Sequence, residues 1–594
     1  MDLNEFYRSN ASRYSGILRK QKRKRNFITF LKLTAFVWAV YTVVLAVSRE
    51  NAGALYRLLP PSVLFVLSAL WDARVYGKIK SCKALIAVQM MEIEALVGNT
   101  AAFDGGGEYA DPAHPYTSDL DIFGDDSVFK ILNRTVTPEG KKQLADFMRY
   151  PAREKRIICE RQEAAGELMG NMEWCHRFRA RGMPESSSEI SGDKIDKWVL
   201  HTGFFGKSLL RLTVYVLNIL SLLLWVAAFA SVLPYSFAIV LFLIQLSIVG
   251  GCSARINRVH RGADGMLASL ASYSRLIDVV NTSSFRSVLL LRQLEVIGRK
   301  KEGPEALRYL EKLRTRLDQR GNIMALFVLN GLFMNDLHSC FSLCKWQGKY
   351  ARNILSWVEA VGCFDAVASM ANLRFNRPDY CVPEIADEGC MLEMRSGIHP
   401  LLSHKAVAND FELSDFHRIS IVTGANMAGK STFLRTVGVN MVLALSGNAV
   451  RASHFRCMPV GIFTSMRTTD NLVEGVSYFH AELLRLKVLL EMADEGNPVF
   501  FIIDEMLKGT NSVDKVKGSR LFLMRLLSLP VSGLLATHDL SLGNMETEDP
   551  VHFSNFCFEI EHCGEEIRYD YILRRGISRN MNASLLLESM GLIG

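Results

Sequence analysis

The chain has 594 residues, of which 69 are Lys or Arg and 61 are Asp or Glu, so its formal net charge is +8. Charged residues make up 22% and apolar residues 49% of the chain, a balance that excludes an intrinsically disordered protein. At roughly 150 residues per domain, this length predicts about four domains. The mean hydropathy is +0.12, which indicates a local excess of apolar residues.

The 12 cysteines are dispersed along the sequence, and no two of them form a CxxC pair. This spacing argues against a zinc site and against a disulfide framework. Scattered thiols in a long chain are typical of reduced, mostly buried cysteines, so we expect the soluble parts of the protein to be cytosolic.

The N-terminal part of the chain combines a basic run with two apolar segments. Six of the seven residues in Arg19–Arg25 are positively charged, and most of the net charge therefore lies there. The apolar segments that follow are Asn26–Ser48 and Ala52–Trp71, the second being long enough to span a bilayer only when residues 52–57 are included. These segments predict a transmembrane hairpin over residues 26–80. The basic run is better explained as a membrane anchor than as a DNA contact.

A second pair of apolar segments, Leu212–Leu233 and Phe237–Cys252, predicts another transmembrane hairpin over residues 206–254. Basic residues flank both hairpins on their outer sides, and the positive-inside rule places these flanks in the cytoplasm. We therefore expect a multi-pass protein of the cell membrane whose soluble domains are cytoplasmic. The alternative is four core helices of a large soluble protein, although such helices seldom lack charges over 20 residues.

A strand pattern at residues 419–422 leads into a glycine-rich loop of the form G-x-x-x-x-G-K-[ST], and a helical pattern follows. In this context a P-loop binds the phosphates of ATP or GTP through backbone N–H groups and the helix N-terminus. Lys430 is expected to reach the β- and γ-phosphates, and the Ser431 hydroxyl to bind Mg²⁺. The candidate nucleotide-binding residues of the loop are Gly424, Ala425, Asn426, Met427, Ala428, Gly429, Lys430, Ser431 and Thr432.

Two further apolar strand patterns end in residues suited to hydrolysis. Val499–Ile503 is followed by Asp504, expected beside Mg²⁺, and by Glu505, expected to polarise the attacking water as general base. The third pattern ends at His538, which is placed to sense the γ-phosphate or to orient water. Together with the P-loop strand, these patterns predict an α/β domain with a parallel, doubly wound sheet and an ATPase site along one edge.

These motifs resemble those of the MutS family of mismatch-repair ATPases, which are ABC-type ATPases. The family's TGPNMGGKST is TGANMAGKST here, and its DEIGRGTS is similar to DEMLKGTNS at residues 504–512. Residues 470–482 are similar to the family's DDLxxGxSTFxxE loop, which reaches across a dimer. The resemblance implies that Ser477 contacts nucleotide held by the partner subunit, and the alternative is an ordinary helix cap. His399 stands in a segment similar to the RHP that lies against adenine.

The resemblance continues into the helical part of the chain. Residues 131–141, ILNRTVTPEGK, look like the start of the family's helical core, and residues 357–385 resemble the long helix joining that core to the ATPase. From the residues alone, Thr137 predicts a helix N-cap and Pro138 the first turn. The predicted domains are a basic cytoplasmic segment (1–25), transmembrane hairpin 1 (26–80), the first part of the helical core (81–205), transmembrane hairpin 2 (206–254), the second part of the core or lever (255–390) and the ATPase domain (391–594).

The sequence departs from the family in three expected features: the mismatch-reading domain with its Phe-x-Glu wedge is not found, the helical core is interrupted, and the carboxyl-terminal helix-turn-helix is expected to be missing or truncated. These departures bear on mismatch reading and leave the ATPase motifs intact.

The resemblance implies a membrane-anchored ATPase that binds ATP and Mg²⁺ as a homodimer and couples hydrolysis to a helical lever acting on DNA. An alternative is an ATP-driven membrane remodeller or transporter-like machine without a DNA role. The few polar residues within Leu212–Leu233 favour anchoring over transport. A third alternative, a scaffold with negligible turnover, conflicts with the paired Asp504 and Glu505.

Overall fold

The computed structural model describes residues 2–48, 57–183, 190, 194–195, 198–199, 203–298, 302–318, 323–403, 405–425, 427–467, 478–508, 511–563 and 566–578. The helices are α1 (Leu3–Ser48), α2 (Leu59–Leu96), α3 (Val128–Leu132), α4 (Pro138–Arg149), α5 (Lys155–Met169), α6 (Met172–Gly182), α7 (Ser208–Phe229), α8 (Tyr235–Asn281), α9 (Val288–Ile297), α10 (Glu302–Asp318), α11 (Ile323–Phe333), α12 (Asn335–Tyr350), α13 (Ile354–Asn376), α14 (Lys430–Ser446), α15 (Tyr478–Asp494), α16 (Ser512–Leu526) and α17 (Asn544–Glu548). The strands are β1 (Glu384–Ile385), β2 (Leu392–Gly397), β3 (Asn409–Leu413), β4 (Ile419–Gly424), β5 (His454–Cys457), β6 (Gly461–Ser465), β7 (Val499–Asp504), β8 (Val531–Thr537), β9 (Phe553–Cys563) and β10 (Glu566–Arg575).

The first two helices pack side by side in opposite directions. Lys32, the charge within the first apolar segment, donates from Nζ to Oδ2 of Asp72 on α2 at 2.7 Å, and Arg25 donates from Nε to Oδ1 of Asp72 at 3.3 Å. The basic run and the first apolar segment thus form one continuous helix. The domain boundaries placed at residues 25, 80 and 254 lie inside α1, α2 and α8, and β1, which precedes residue 391, already pairs with β5 of the ATPase domain.

Four helical stretches of the described residues are long and apolar enough to cross a membrane by length and composition: Leu3–Leu45, Ser208–Phe229, Tyr235–Val259 and Asn335–Asn376. The first three overlap three of the four predicted spans and leave most of their side chains exposed, whereas the last is largely buried in the core. The remaining predicted span, Ala52–Trp71, is not among them. Its residues 52–56 lie outside the described residues, and the apolar part of α2 ends at Asp72.

The start of the helical core is held by one buried carboxylate. The predicted helix start is confirmed. The Thr137 hydroxyl accepts from the Gly140 N–H at 3.0 Å as the N-cap of α4, and Pro138 is the first residue of that helix. Asp365 on α13 accepts from the Val136 N–H at 3.0 Å, the Thr137 N–H at 2.8 Å and the Thr137 hydroxyl at 2.6 Å. A Cβ on Gly140 would lie only 2.4 Å from this carboxylate, so the crossing of α4 and α13 requires glycine.

A second buried carboxylate joins the first hairpin to the core. Glu92 on α2 is fully buried and accepts from Arg134 Nε at 2.9 Å and Arg179 Nη1 at 2.5 Å. Its other oxygen accepts from the Asn376 amide at 2.8 Å, and the Tyr7 hydroxyl donates to Asn376 Oδ1 at 2.6 Å. Burial raises the pKa of Glu92, but the two guanidinium groups outweigh it and lower the pKa to about 2. This Glu92 cluster connects α1, α2, α6 and α13.

The ATPase domain is built on a six-stranded sheet in the order β10-β9-β4-β8-β7-β6. All neighbours pair in parallel except β9 and β10, which are antiparallel. Ile421 on β4 belongs to a core shared with α15 and α16, whereas the next residue, Val422, belongs to the core that contains α14. Helices therefore cover both faces of the sheet, as expected for a doubly wound fold. The antiparallel edge strand β10 was not part of the predicted parallel sheet. A smaller mixed sheet has the order β1-β5-β2-β3.

We expect Glu92→Ala to lower the free energy of unfolding by about 3–5 kcal/mol, because two buried guanidinium groups would lose their counter-charge. The matched control is Asp278→Ala, which removes the partner of Arg308 in an exposed pair at 2.7 Å and should cost less than about 1 kcal/mol. Thermal unfolding in detergent measures both. The fold lowers the pKa of Glu92 from 4.5 to about 2. The stabilisation that the ionised Glu92 gives to the folded state is therefore complete above about pH 4.5 and is lost as the pH falls towards 2. Equal losses in the two variants would contradict this assignment.

Candidate active site

The carboxyl ends of β4, β8 and β7 meet at one edge of the large sheet. Thr423 on β4 lies beside Thr537 on β8, and Ala536 on β8 lies beside Asp504 on β7. The three strand ends singled out from the sequence are therefore brought together, with the P-loop directly after the first of them.

The P-loop turns sharply between β4 and α14. The backbone φ is +146° at Gly424, +67° at Met427 and +110° at Gly429, values that favour glycine. A Cβ on Gly424 would lie 2.7 Å from the carbonyl oxygen of Phe558, so this position also needs glycine for space. Asn426, one of the predicted binding residues, lies outside the described residues.

Lys430 is the first residue of α14 and its side chain turns back over the loop. Its Nζ donates to the carbonyl oxygens of Gly424 at 2.6 Å and Ala425 at 2.8 Å. Burial lowers the pKa of Lys430 to about 8, against the opposing effect of Asp504 and Glu505. The ammonium group is therefore still charged at neutral pH, and it lies where phosphate oxygens enter a P-loop.

Ser431 and Asp504 are hydrogen-bonded to each other across the sheet edge. A hydroxyl and a carboxylate oxygen side by side are the kind of hard oxygen ligands that Mg²⁺ prefers, so these residues fit the predicted metal site. Within the described residues no group of three or more His, Cys, Asp and Glu could hold a metal ion. The remaining ligands would accordingly be phosphate and water oxygens, as is usual for Mg²⁺.

Glu505 follows Asp504 in a left-handed backbone conformation, with φ at +66°. Its Oε1 accepts from Lys515 Nζ on α16 at 2.6 Å. Burial raises the pKa of Glu505, but the hydrogen bond and charge of Lys515 lower it below its ordinary value overall. The carboxylate is therefore ionised at neutral pH. Lys515 is a site residue that the sequence analysis missed, because no motif includes it.

His538 follows β8 and is half-buried. Burial and the nearby charge of Lys430 lower its pKa, so the ring is neutral at pH 7. The preceding Thr537 hydroxyl accepts from the Asp539 N–H at 3.0 Å and fixes the turn that carries His538. A neutral imidazole can donate or accept one hydrogen bond at each nitrogen, which suits both of its predicted roles.

The loop that carries Glu505 is held from behind by Glu482 on α15. This buried carboxylate accepts from the backbone N–H of Leu507 at 2.5 Å and of Lys508 at 3.1 Å. Leu507 has φ at +58°, so the turn is unusual and depends on external support. Glu482 is the last residue of the sequence motif at residues 470–482. Only these contacts show that Glu482 supports the loop of Glu505.

Most of the predicted site residues line one cavity of about 710 Å³, whereas Gly424 and the buried Ala428 do not line it. Predicted members are Ala425, Met427, Gly429, Lys430, Ser431, Thr432, His399, Asp504, Glu505 and His538. Burial lowers the pKa of His399 to about 4, so this ring is also neutral. Tyr571 on β10 adds an aromatic wall that the sequence analysis missed, with its ring 3.1 Å from a Cβ built on Gly429. An aromatic and largely uncharged wall beside a phosphate loop suits the base of a nucleotide.

Ser477 lies outside the described residues, as does the rest of 468–477, so its contact with the partner's nucleotide stays a prediction. The segment just before it is well fixed. Arg467 donates from Nη1 to Oδ1 of Asp121 at 2.7 Å, and Arg435 on α14 donates to Oδ2 of the same residue at 3.1 Å. The loop that precedes α3 therefore lies against the P-loop helix.

Comparison with known proteins matches the part of the chain that holds this site. The family model of MutS domain V matches residues 420–585, which include the P-loop, Asp504, Glu505 and His538. Residues 420–585 thus resemble a MutS domain V. The DNA mismatch repair protein MutS of Aquifex pyrophilus is 33% identical over 222 residues, covering 36% of this chain and 25% of that protein. MutS protein homolog 4 of Mus musculus is 30% identical over 239 residues, covering 38% of this chain and 24% of that protein. The match thus spans about a quarter of each curated relative, and within it lies a MutS-type P-loop ATPase domain.

We expect Glu482→Ala to slow nucleotide turnover about tenfold while nucleotide binding is retained. The substitution leaves two backbone N–H groups without their acceptor, at about 1–3 kcal/mol each, and loosens the turn that positions Glu505. Glu482→Gln is the matched control, because it keeps one acceptor oxygen and should lose less. Steady-state kinetics and nucleotide titration measure the two effects, and a parallel loss of binding would contradict a role confined to this turn.

Proposed function

We propose that this protein is an ATPase whose hydrolytic site is the cavity around Lys430. The observation that carries the proposal is the convergence of Lys430, Ser431, Asp504, Glu505 and His538 on one cavity from three strand ends and a P-loop. These are the parts that phosphoryl transfer to water requires: a phosphate cradle, metal ligands and a base. The match to MutS domain V supports ATP as the nucleotide.

Each residue has a separate task in this proposal. The P-loop N–H groups and the Lys430 ammonium bind the phosphates, and Ser431 and Asp504 would hold Mg²⁺, which neutralises phosphate charge when bound. Lys515 holds Oε1 of Glu505, and we assign Oε2 to the attacking water. Glu505 then takes the proton of that water as general base, and neutral His538 orients the water or the γ-phosphate.

We further propose that the protein works as a homodimer through its ATPase domains and acts on DNA. In this arrangement Ser477 contacts the nucleotide of the partner subunit, and the helical core transmits the closing and opening of the dimer. The match of residues 420–585 to MutS domain V supports both parts. Mismatch reading itself is left out of the proposal.

The protein is proposed to reside in the cell membrane as a multi-pass protein, with its soluble domains in the cytoplasm. The support is the apolar exposure of α1, α7 and α8, where side chains such as Phe36, Leu222 and Phe237 are each more than half exposed. Contiguous exposed apolar surface of this kind requires a partner, and a lipid bilayer supplies one along whole helices. Basic residues at the outer flanks support the orientation.

The alternative function, an ATP-driven membrane remodeller or transporter-like machine without DNA, is favoured by one observation. The Glu92 cluster joins the first hairpin directly to α13, the helix that leads to the ATPase domain. A movement of α13 would therefore reach α1 and α2 without DNA taking part.

Two substitutions test the hydrolytic site. Lys430→Ala should abolish ATP binding, because it removes the charge that binds the phosphates. Glu505→Gln should retain ATP binding and reduce the turnover rate by about 10²–10⁴-fold, because the amide cannot accept the proton of water. Binding titrations and single-turnover kinetics measure both, and unaltered turnover in Glu505→Gln would refute its role as general base.

DNA stimulation separates the two proposed functions. We expect the ATPase rate of the full-length protein in nanodiscs to change when homoduplex, mismatched or branched DNA is added, because family ATPases couple nucleotide state to DNA. The Lys430→Ala variant serves as the control for contaminating activity. Equal rates with and without every DNA, together with no retardation of any DNA, would favour the membrane machine.

A further inference from the structure

The chain returns to the second apolar hairpin through a helix that the sequence analysis did not single out. Helix α11 has only 11 residues and packs against α8 so closely that a Cβ on Gly331 would lie 2.1 Å from the ring of Phe242. Phe242 lies well inside the apolar part of α8. Directly after α11, Met334 adopts a left-handed conformation with φ at +49°, and α12 begins.

Helix α12 then runs back along α7 towards the start of that helix. The ring of His338 lies 5.0 Å from the ring of Tyr215, and one and a half turns later Cys344 Sγ is 3.6 Å from a Cβ built on Gly206. Helices α11 and α12 therefore form a hairpin whose turn, around Phe333 and Met334, points into the bundle of α7 and α8.

The turn is at mid-height of α7, and protein side chains bind several of its backbone groups. Asn218, half-way along the 22 residues of α7, donates its amide to the Phe333 carbonyl at 3.0 Å and hydrogen-bonds His338 Nε2 at 2.6 Å. Gln245 of α8 donates to Asn218 Oδ1 at 3.2 Å, and Asn330 Oδ1 accepts from the Asp336 N–H at 2.9 Å. Irregular backbone at membrane depth is tolerated only when protein groups bind it in this way.

The outer face of α11 is apolar and exposed. The exposed fractions are 52% for Phe327, 50% for Val328 and 50% for Phe333, and this face continues the exposed apolar bands of α7 and α8. A helix of 11 residues is about 16 Å long, which is near half of a bilayer's hydrocarbon core of about 30 Å.

We propose that α11 and the first turns of α12 form a re-entrant hairpin that enters the bilayer half-way beside α7 and α8. The inference rests on the proposed function in one respect, the insertion of α7 and α8 in the membrane. Phe327, Val328 and Phe333 then face lipid acyl chains, while Asn218, itself bound by Gln245, caps the turn. The polar residues Asn218 and Gln245 of the second hairpin are then explained by a structural role, and no transport path is needed to account for them.

Photochemical lipid labelling tests this placement in the full-length protein. A benzoylphenylalanine probe is introduced in turn at the positions of Phe333, Leu222 on α7 and Leu521 on α16, whose side chains are all exposed. The protein is reconstituted in phosphatidylcholine vesicles whose acyl-chain ends carry an alkyne tag. We expect the probe at position 333 to label lipid as strongly as that at position 222, and the probe at position 521 to give background only.

Three other results would overturn the inference. If position 222 labels lipid but position 333 gives only the background of position 521, the hairpin lies outside the bilayer while α7 still spans it. If position 333 instead crosslinks to a second copy of the chain, the exposed face is a protein interface. If neither position 333 nor position 222 labels lipid, the proposed membrane insertion of α7 fails as well, and the re-entrant hairpin fails with it.

Discussion

The burial of the Glu92 carboxylate is the constraint on which the arrangement of this protein depends. A charge removed from water is tolerated only when all of its partners are in place, here Arg134, Arg179 and Asn376. These partners come from the loop before α4, from α6 and from the end of α13. These contacts therefore fix one position of the first apolar hairpin on the helical core. Tyr7 at the start of α1 adds a hydrogen bond to Asn376.

From the Glu92 cluster, contacts continue towards the candidate site through further buried or half-buried carboxylates. Asp365 fixes α4 on α13, about three helical turns before Asn376. On the other side of the core, Asp119 accepts from the Thr464 hydroxyl at 2.7 Å, and Asp121 binds Arg435 of the P-loop helix. Carboxylates are directional acceptors with several lone pairs, so each can hold backbone and side chains of two segments at once. The result is an unbroken set of contacts from α1 to α14.

The chemistry of the site could be predicted because its signals are local. Glycine spacing specifies the P-loop, an acid at the end of an apolar run specifies a strand end, and Thr137 with Pro138 specifies a helix start. Lys515, Tyr571 and the role of Glu482 could not be predicted, because each reaches the site from another element. The boundaries at residues 25 and 80 fall inside α1 and α2, since a change from basic to apolar residues does not interrupt a helix. Helix α11 was missed because a mostly apolar stretch of 11 residues is too short for a span and has no other signature.

The sequence by itself indicated which residues form the candidate nucleotide site and which segments are strongly apolar. Both properties depend on neighbours within one element, where the spacing along the chain already fixes the geometry. The tertiary structure alone decided how the first apolar hairpin attaches to the helical core, because Glu92 meets Arg134, Arg179 and Asn376 at separations of 42, 87 and 284 residues. Whether such a carboxylate is buried and ionised depends on desolvation and on partners that only the folded chain supplies.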